Sequence, residues 1–580
     1  MRQIAALLLL AAFGCTSRPD ALAPPPAGAA GGAAAGTGGA RGSGAPAVAD
    51  ALPGPAPPPE PAADDRPGPS AFHRLNPFEL DNTLRDLFGP GTMLAAQMVV
   101  PPHGDLGAGF IDGGGGVGEA ELRAYHSLAE AAASAAAKQL PTFLPCPTIP
   151  TAPEQQEICA GQFITQFGLR AYRRPVSDAE SAALLQLYRT LRGPEGGADF
   201  PGAIRLLITA MLQSPYFLYR WETVGGPTRD GPLIQLGSYE MASRLSYALT
   251  ASMPDPDLFA AAAAGALGRP DQIESQARRL LASPRAADAI GDFYRQTLNT
   301  GFLPNLDKDT ALGFSPALGQ SMLNETDGFL QRLFVGPAAR ARLDDLLTAT
   351  ATVVDPALAR LYGVPAATLP ATGAVTLDPG QRAGIFTQAS FLTANATSSE
   401  GGIVARGLTV FERLLCRELP PPPANVDVAP LPPPQGLSRR ERFEMFVANP
   451  CTNGCHDIYP LGWSFENFDA VGRYSTIEPG IARPIDASGS ITLPSGELKF
   501  KDAVDMMKQL PARPEVRACM ARQWFRYLLR RREGPGDAAS LATAEKTFAA
   551  SAFDLRELIV ALSKTRAFTH RSPSAGEVLP

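Results

Sequence analysis

Histidine is scarce in this chain, with 5 in 580 residues. Four of them, His73, His103, His126 and His570, stand far apart, and no zinc-protease helix signature joins any pair. Equally absent are the glycine fingerprint that cradles a flavin or nicotinamide pyrophosphate and the Gly-x-Ser-x-Gly elbow of a serine hydrolase. The run Gly113 to Gly116 has no strand before it and no Lys-Ser/Thr after it, so it reads as a turn and not a phosphate loop. Basic charge is not in excess: 51 Lys and Arg against 57 Asp and Glu leave a net charge of -6 with no basic stripe, which excludes nucleic acid as a partner. Strand patterns are few and short, such as Ala374 to Leu377, which excludes an all-β architecture.

What is present begins at the N-terminus. Met1-Arg2 gives a short positive start and Ile4 to Phe13 an apolar stretch too short to span a bilayer. Ala12-Phe13-Gly14-Cys15 resembles a lipobox with Cys15 as the lipidated residue. The expectation is export and anchorage as an outer-membrane or cell-surface lipoprotein, or one facing the periplasm. Residues 16–70 are almost wholly Ala, Gly and Pro, a composition that cannot bury a core and reads as a disordered tether.

Seven cysteines then carry most of the chemical information. Cys451-Thr452-Asn453-Gly454-Cys455-His456 places two thiols directly before an imidazole, the order that forms thioethers to haem c and supplies its proximal iron ligand. The usual spacing leaves two residues between the thiols, and this chain has three. A local disulfide and a metal site with His456 are the other readings of the same residues. Cys146 and Cys159 flank a proline-rich loop and suit a local bridge; Cys416 and Cys519 would then tie the segments on either side of the Cys/Cys-His motif. Four cysteines allow three pairings, and buried thiols are the alternative to any of them. No histidine lies between His456 and His570, so a thioether is the expected distal ligand, with Met506 or Met507 at a suitable distance along the chain.

Helix signals dominate the remainder. Asn76-Pro77-Phe78-Glu79 and Ser177-Asp178-Ala179-Glu180 are capping boxes ahead of apolar faces at helical spacing. Further helices are expected over Glu119–Leu140, Glu154–Tyr172, Pro201–Ser214, Ser238–Ala251, Asp271–Ala282, Pro316–Phe334, Ser438–Val447, Glu515–Arg531, Ala538–Ala549 and Asp554–Ser563. Arg170, Arg173 and Arg174 read as a helix end, Asp255, Asp257, Glu466 and Asp469 as structural or capping acids, and Pro420–Pro423 with Pro432–Pro434 as extended connectors. The expected fold is mainly α: a multi-domain helical protein with a small cytochrome-c-like C-terminal region. Its divisions are residues 1–15 (signal and lipobox), 16–70 (tether), 71–140, 141–220 (with Arg-Ala-Tyr-Arg-Arg-Pro), 221–350, 351–475 (ending in the Cys/Cys-His motif) and 476–580.

Five blocks in order carry a resemblance: Arg74-Leu75-Asn76 to Gly89, Phe167 to Glu180, Ala242 to Leu267, Arg382 to Thr393 and Pro460 to Gly472. Together they resemble a large family of exported bacterial proteins catalogued as a string of domains of unknown function, the 1587/1595/1592/1588/1585 series. In that family the segment before Pro460 commonly reads as a haem-attachment motif followed by Asp-Pro-Leu-Gly. The resemblance therefore implies haem binding at Cys451, Cys455 and His456, and this chain departs in the inserted residue and in Tyr459.

The expected function is an exported, lipid-anchored protein of unknown substrate with one covalent haem c, acting in electron transfer with a redox partner protein. The alternative is a haem-free surface lipoprotein that binds or processes an extracellular polymer. No acid-base group is named that would make it an enzyme.

Overall fold

The computed structural model describes residues 66–69, 73–92, 110, 117–146, 148–222, 228–230, 233–419, 436–447, 457–574 and 577. Cys15, the glycine run 113–116, Pro420–Pro423, Pro432–Pro434, and Cys451, Cys455 and His456 lie outside them. The described chain is mainly helical, as its sequence patterns indicate.

β1 (His73–Arg74) leads into α1 (Pro77–Phe88). The Asn76 side chain accepts the Glu79 N–H at 2.8 Å and Glu79 accepts the Asn76 N–H at 3.1 Å, while Pro77 takes a first-turn position that needs no donor. α2 (Glu119–Ala137), α3 (Pro153–Tyr172), α4 (Asp178–Arg192) and α5 (Phe200–Leu212) pack with α1 around Leu80, Leu84, Phe163, Phe167, Ile204 and Met211. After α6 (Pro215–Leu218), β2 (Tyr219–Arg220) returns antiparallel onto β1, with His73 opposite Arg220. Cys146 and Cys159 are disulfide-bonded across 13 residues, which fixes the proline-rich loop on α3. Residues 66–69, placed in the tether by composition, run beside Ser572, whose hydroxyl donates to Pro67 O at 2.6 Å.

β3 (Thr228–Asp230) and β4 (Leu233–Gln235) form a small sheet with His570 and Arg571 from the far end of the chain. α7 (Ser238–Thr250), α8 (Pro256–Ala263), α9 (Pro270–Ala282), α10 (Ala286–Thr297) and α11 (Pro316–Phe334) follow. Asp255 caps α8 through Leu258 N–H at 2.9 Å and pairs with Arg279, the structural role expected of it. α12 (Leu343–Thr348), β5 (Ala351–Val353), α13 (Pro356–Leu361), β6 (Ala374–Thr376) and α14 (Ala389–Ala394) make a compact turn of chain in which β5 and β6 pair antiparallel.

α15 (Ile403–Arg413), α16 (Arg439–Val447) and α17 (Ile458–Trp463) bracket the Cys/Cys-His segment. Then come the hairpin β7 (Gly489–Leu493) and β8 (Gly496–Phe500), and α18 (Ala503–Gln509), α19 (Pro514–Leu529), α20 (Ala538–Ala550), α21 (Leu555–Ser563), α22 (Arg566–Thr569) and β9 (His570–Arg571). The largest core joins α7–α10 to these last helices. Phe293 of α10 stacks on Trp524 of α19 with ring centroids 3.8 Å apart, and Tyr527 donates to Asp292 at 2.9 Å. A buried ion pair, Glu79 with Arg530 at 3.3 Å, links early and late parts of the chain, and Arg244, paired with Glu222, donates to Phe568 O at 2.5 Å.

Candidate functional site

The flanks of the Cys/Cys-His segment are built on one close helix crossing. α15 lies against α17, and a Cβ at Gly407 or Gly462 would collide with backbone of the opposite helix, Ile458 and Ile403 respectively. Glycine at both positions is what permits this approach. Pro460-Leu461-Gly462 is part of α17. Pro460 sits in the first turn, where a missing N–H costs no helical bond, so proline continues the helix here.

α16 lies on this pair through Phe443, whose ring meets Tyr459 edge-on at 5.1 Å, and through Arg440, 4.3 Å above the Trp463 ring. Ile403, Phe443 and Tyr459, with Trp463 against them, form a small apolar cluster separate from the main core. The indole N–H of Trp463 is buried without a hydrogen-bond partner. Val404 and Met445 remain exposed, Met445 at 61%. Polar contacts fix the helix from its other sides: Arg439 to Glu466 at 3.0 Å, Arg440 to Asp486 at 2.9 Å, and Arg442 to Glu400 at 2.9 Å. Glu466 is thus a structural ion-pair partner, and Asp469 accepts the Val471 and Arg473 N–H groups, as expected of both acids.

The chain that follows is clamped by a buried guanidinium. Arg406 of α15, fully buried, donates to the carbonyls of Leu392, Phe465, Phe468 and Asp469, and burial pulls its pKa down to about 9. Five donors in a fixed fork let one side chain close several backbone acceptors at once. Downstream of the motif, Asp457 pairs with Arg417 at 2.7 Å, and Arg417 also reaches Thr492 O at 3.1 Å. Its neighbour Cys416 is disulfide-bonded to Cys519 of α19, 103 residues on and 5.3 Å away between Cα atoms. Both expected disulfides are therefore present, and the residue that follows His456 is tied to the residue that follows one of them.

Met506 and its neighbour Met507 lie on α18, wholly buried in the main core. The thioether that sequence reasoning passed over is Met445, whose exposure on α16 had no local signal. His73 is buried with its Nδ1 unpartnered, His126 meets Gln213 at 3.0 Å and His570 meets Thr569 at 2.9 Å. Among the described residues no group of three His, Cys, Asp or Glu side chains could hold a metal ion.

Four protein-family models match the chain in order, each described as a protein of unknown function: DUF1595 over residues 159–222, DUF1592 over 236–364, DUF1588 over 382–478 and DUF1585 over 496–568. The DUF1588 range contains α15, α16, α17 and the Cys/Cys-His segment. No curated protein matches the chain, and no solved structure does. The chain belongs to the multi-domain family of unknown function whose ordered blocks it carries.

Proposed function

We propose that this protein is an exported, lipid-anchored electron carrier with one covalent haem c, anchored by Cys451 and Cys455, with His456 as proximal ligand. The observation that carries this reading is the state of the other cysteines. Of seven, Cys15 stands in the lipobox and four are paired in two disulfides, which leaves only the two thiols that precede His456. The flanking residues fit such a group: an apolar aromatic cluster adjoins the segment, and a porphyrin face takes apolar neighbours. Bound haem would supply one-electron exchange, and the protein's part is to hold the axial ligands and limit water. Of the thioethers that could serve as the second iron ligand, Met506 is wholly buried in the main core and Met445 is exposed on α16. A thioether in that position raises the potential and suits electron transfer to a partner protein. Among the described residues no helix is long and apolar enough to cross a membrane; the lipid on Cys15 is the membrane contact proposed, at an outer-membrane or cell-surface location.

A second reading, a haem-free surface lipoprotein that binds or processes an extracellular polymer, is favoured by the three-residue cysteine spacing. There Cys451 and Cys455 would close a disulfide-braced turn. Iron separates the two. The test is a pyridine haemochrome spectrum of the full chain made in an exporting host with c-type maturation. A covalent c-type signal that Cys455→Ala abolishes is expected; a colourless folded protein, from a host that matures a control cytochrome, would overturn the haem reading.

A further inference from the structure

In the proposed haem site one axial position has His456 and the other has no assigned residue, and the described donors narrow the choice. The described imidazoles stand elsewhere. His73 is buried in β1 opposite Arg220, His126 meets Gln213, and His570 is part of β9. Thioethers remain. Among the described residues every methionine but one is buried, Met253 at 6% being the most exposed of those, and Met506 and Met507 pack inside the main core. The exception is Met445, 61% exposed.

The helix that carries it makes this exposure informative. From Arg439 to Glu444 every side chain of α16 is engaged, the charged ones in ion pairs and Phe443 against the Tyr459 ring. Met445 belongs to none of the apolar clusters of the described chain. A helix fixed on its other faces therefore holds one soft donor outward.

A singly exposed apolar side chain needs no explanation by itself. The place of Met445 along the chain supplies one. α16 ends at Val447, and the four residue steps from there to Cys451 span at most about 14 Å. On the far side, α17 begins at Ile458, two residues after His456, and comes back to α16 through the contact of Tyr459 with Phe443. Both ends of the attachment segment are thus tied to the helix that carries the exposed thioether.

We infer that Met445 supplies the second axial ligand of the haem iron, opposite His456. The inference rests on the haem reading of Cys451, Cys455 and His456, and adds to it a residue on the N-terminal side of the motif. A soft, neutral thioether in that place favours ferrous over ferric iron, which raises the potential, and it closes the position to small ligands.

The test uses the full chain from an exporting host with c-type maturation, with the pyridine haemochrome spectrum taken first. Ferric protein should show the weak far-red charge-transfer band of thioether ligation, and ferrous protein a methionine methyl proton resonance shifted far upfield by the porphyrin ring current. Met445→Leu, whose fold circular dichroism verifies, should lose both signals and lower the midpoint potential. Its ferrous form should bind carbon monoxide, which the parent, with both axial positions filled, should exclude. Met445→His should restore a low-spin spectrum without the charge-transfer band, and Met506→Leu should keep the signals of the parent. Covalent haem with neither signal, or signals that Met445→Leu leaves in place, would overturn the inference and leave the haem reading standing. A colourless folded chain would overturn the haem reading and the ligand together.

Discussion

The packing beside α7 and the wall beside the Cys/Cys-His segment use the same device for different ends. In each, a buried arginine clamps backbone carbonyls of a distant stretch: Arg173 takes those of Tyr216, Phe217 and Tyr219, and Arg406 takes those of Leu392, Phe465, Phe468 and Asp469. Beside α7 the ring of Tyr216 meets those of Tyr172 and Trp221, and Glu240 Oε1 and Ser243 Oγ are enclosed without a hydrogen-bond partner. In the wall the clamped chain packs shut, and the surface left over is apolar, Met445 and Val404. The first region keeps unpaired polar atoms inside its packing, and the second pairs its polar atoms and leaves an apolar margin outside.

The largest effect that would sharpen this contrast concerns the disulfides. Each region has one, with Cys159 on the helix that carries Tyr172, and Cys416 beside the arginine that holds Asp457. On the loop-closure account, Cys416→Ser with Cys519→Ser opens a loop of 103 residues and should cost about 4.7 kcal/mol, against about 3 kcal/mol for the 13-residue loop opened by Cys146→Ser with Cys159→Ser. Urea unfolding of both double variants measures this; equal losses would mean that the two regions do not differ in how they are stapled. Next is Arg406→Met, expected to cost about 3–5 kcal/mol because it leaves several enclosed carbonyls unpaired. Arg173→Met should cost about 1–3 kcal/mol, since the carbonyls of Tyr216 and Tyr219 are only part-buried and water can replace the guanidinium. A reversal of that order in urea midpoints would break the comparison.

Local chemistry was readable wherever one stretch of chain decides the outcome. The capping boxes at Asn76 and Ser177 are where the residue types put them, β6 falls within Ala374 to Leu377, and the two disulfides are the pairing preferred among the three that four cysteines allow. What stayed hidden depends on tertiary packing. α15 went unread because Arg406, a residue of exposed character, points inward to carbonyls far along the chain. α10 was hidden in the same way, with Gly291 and Asp292 buried on a face that reads as broken by polarity. Arg173 does end a helix, in left-handed backbone at φ 58°, yet its guanidinium serves another segment as well. The ring packing beside α7 draws on α3, α6 and the residue after β2, a combination without any local signature. Cys15, Cys451, Cys455 and His456 lie outside the described residues, so the cofactor reading still rests on their order in the sequence.

The smallest expected effect tests whether Glu240 is as dry as its missing partner implies. Burial raises its folded pKa to about 7 from 4.5, against the Gly237 N–H, Arg244 and Arg571, which lower it, and with Glu222, which raises it. Below about 4.5 the carboxyl is protonated in both folded and unfolded chains and contributes nothing to pH dependence. Between about 4.5 and about 7 the unfolded chain loses the proton while the folded chain keeps it, so stability falls as pH rises, then levels off above the folded value. Glu240→Gln removes that loss and keeps an acceptor for Gly237; it should match the parent near pH 4 and exceed it near pH 8 by up to about 3 kcal/mol. Glu325, also raised to about 7 by burial, accepts hydroxyls from Thr352 at 3.1 Å and Tyr362 at 2.6 Å, so Glu325→Gln disturbs bonds that Glu240→Gln does not have to break. The gain at pH 8 should therefore be smaller for Glu325→Gln in urea titrations. Equal gains would show that an unpaired Oε1 does not distinguish Glu240 from an ordinary buried carboxyl.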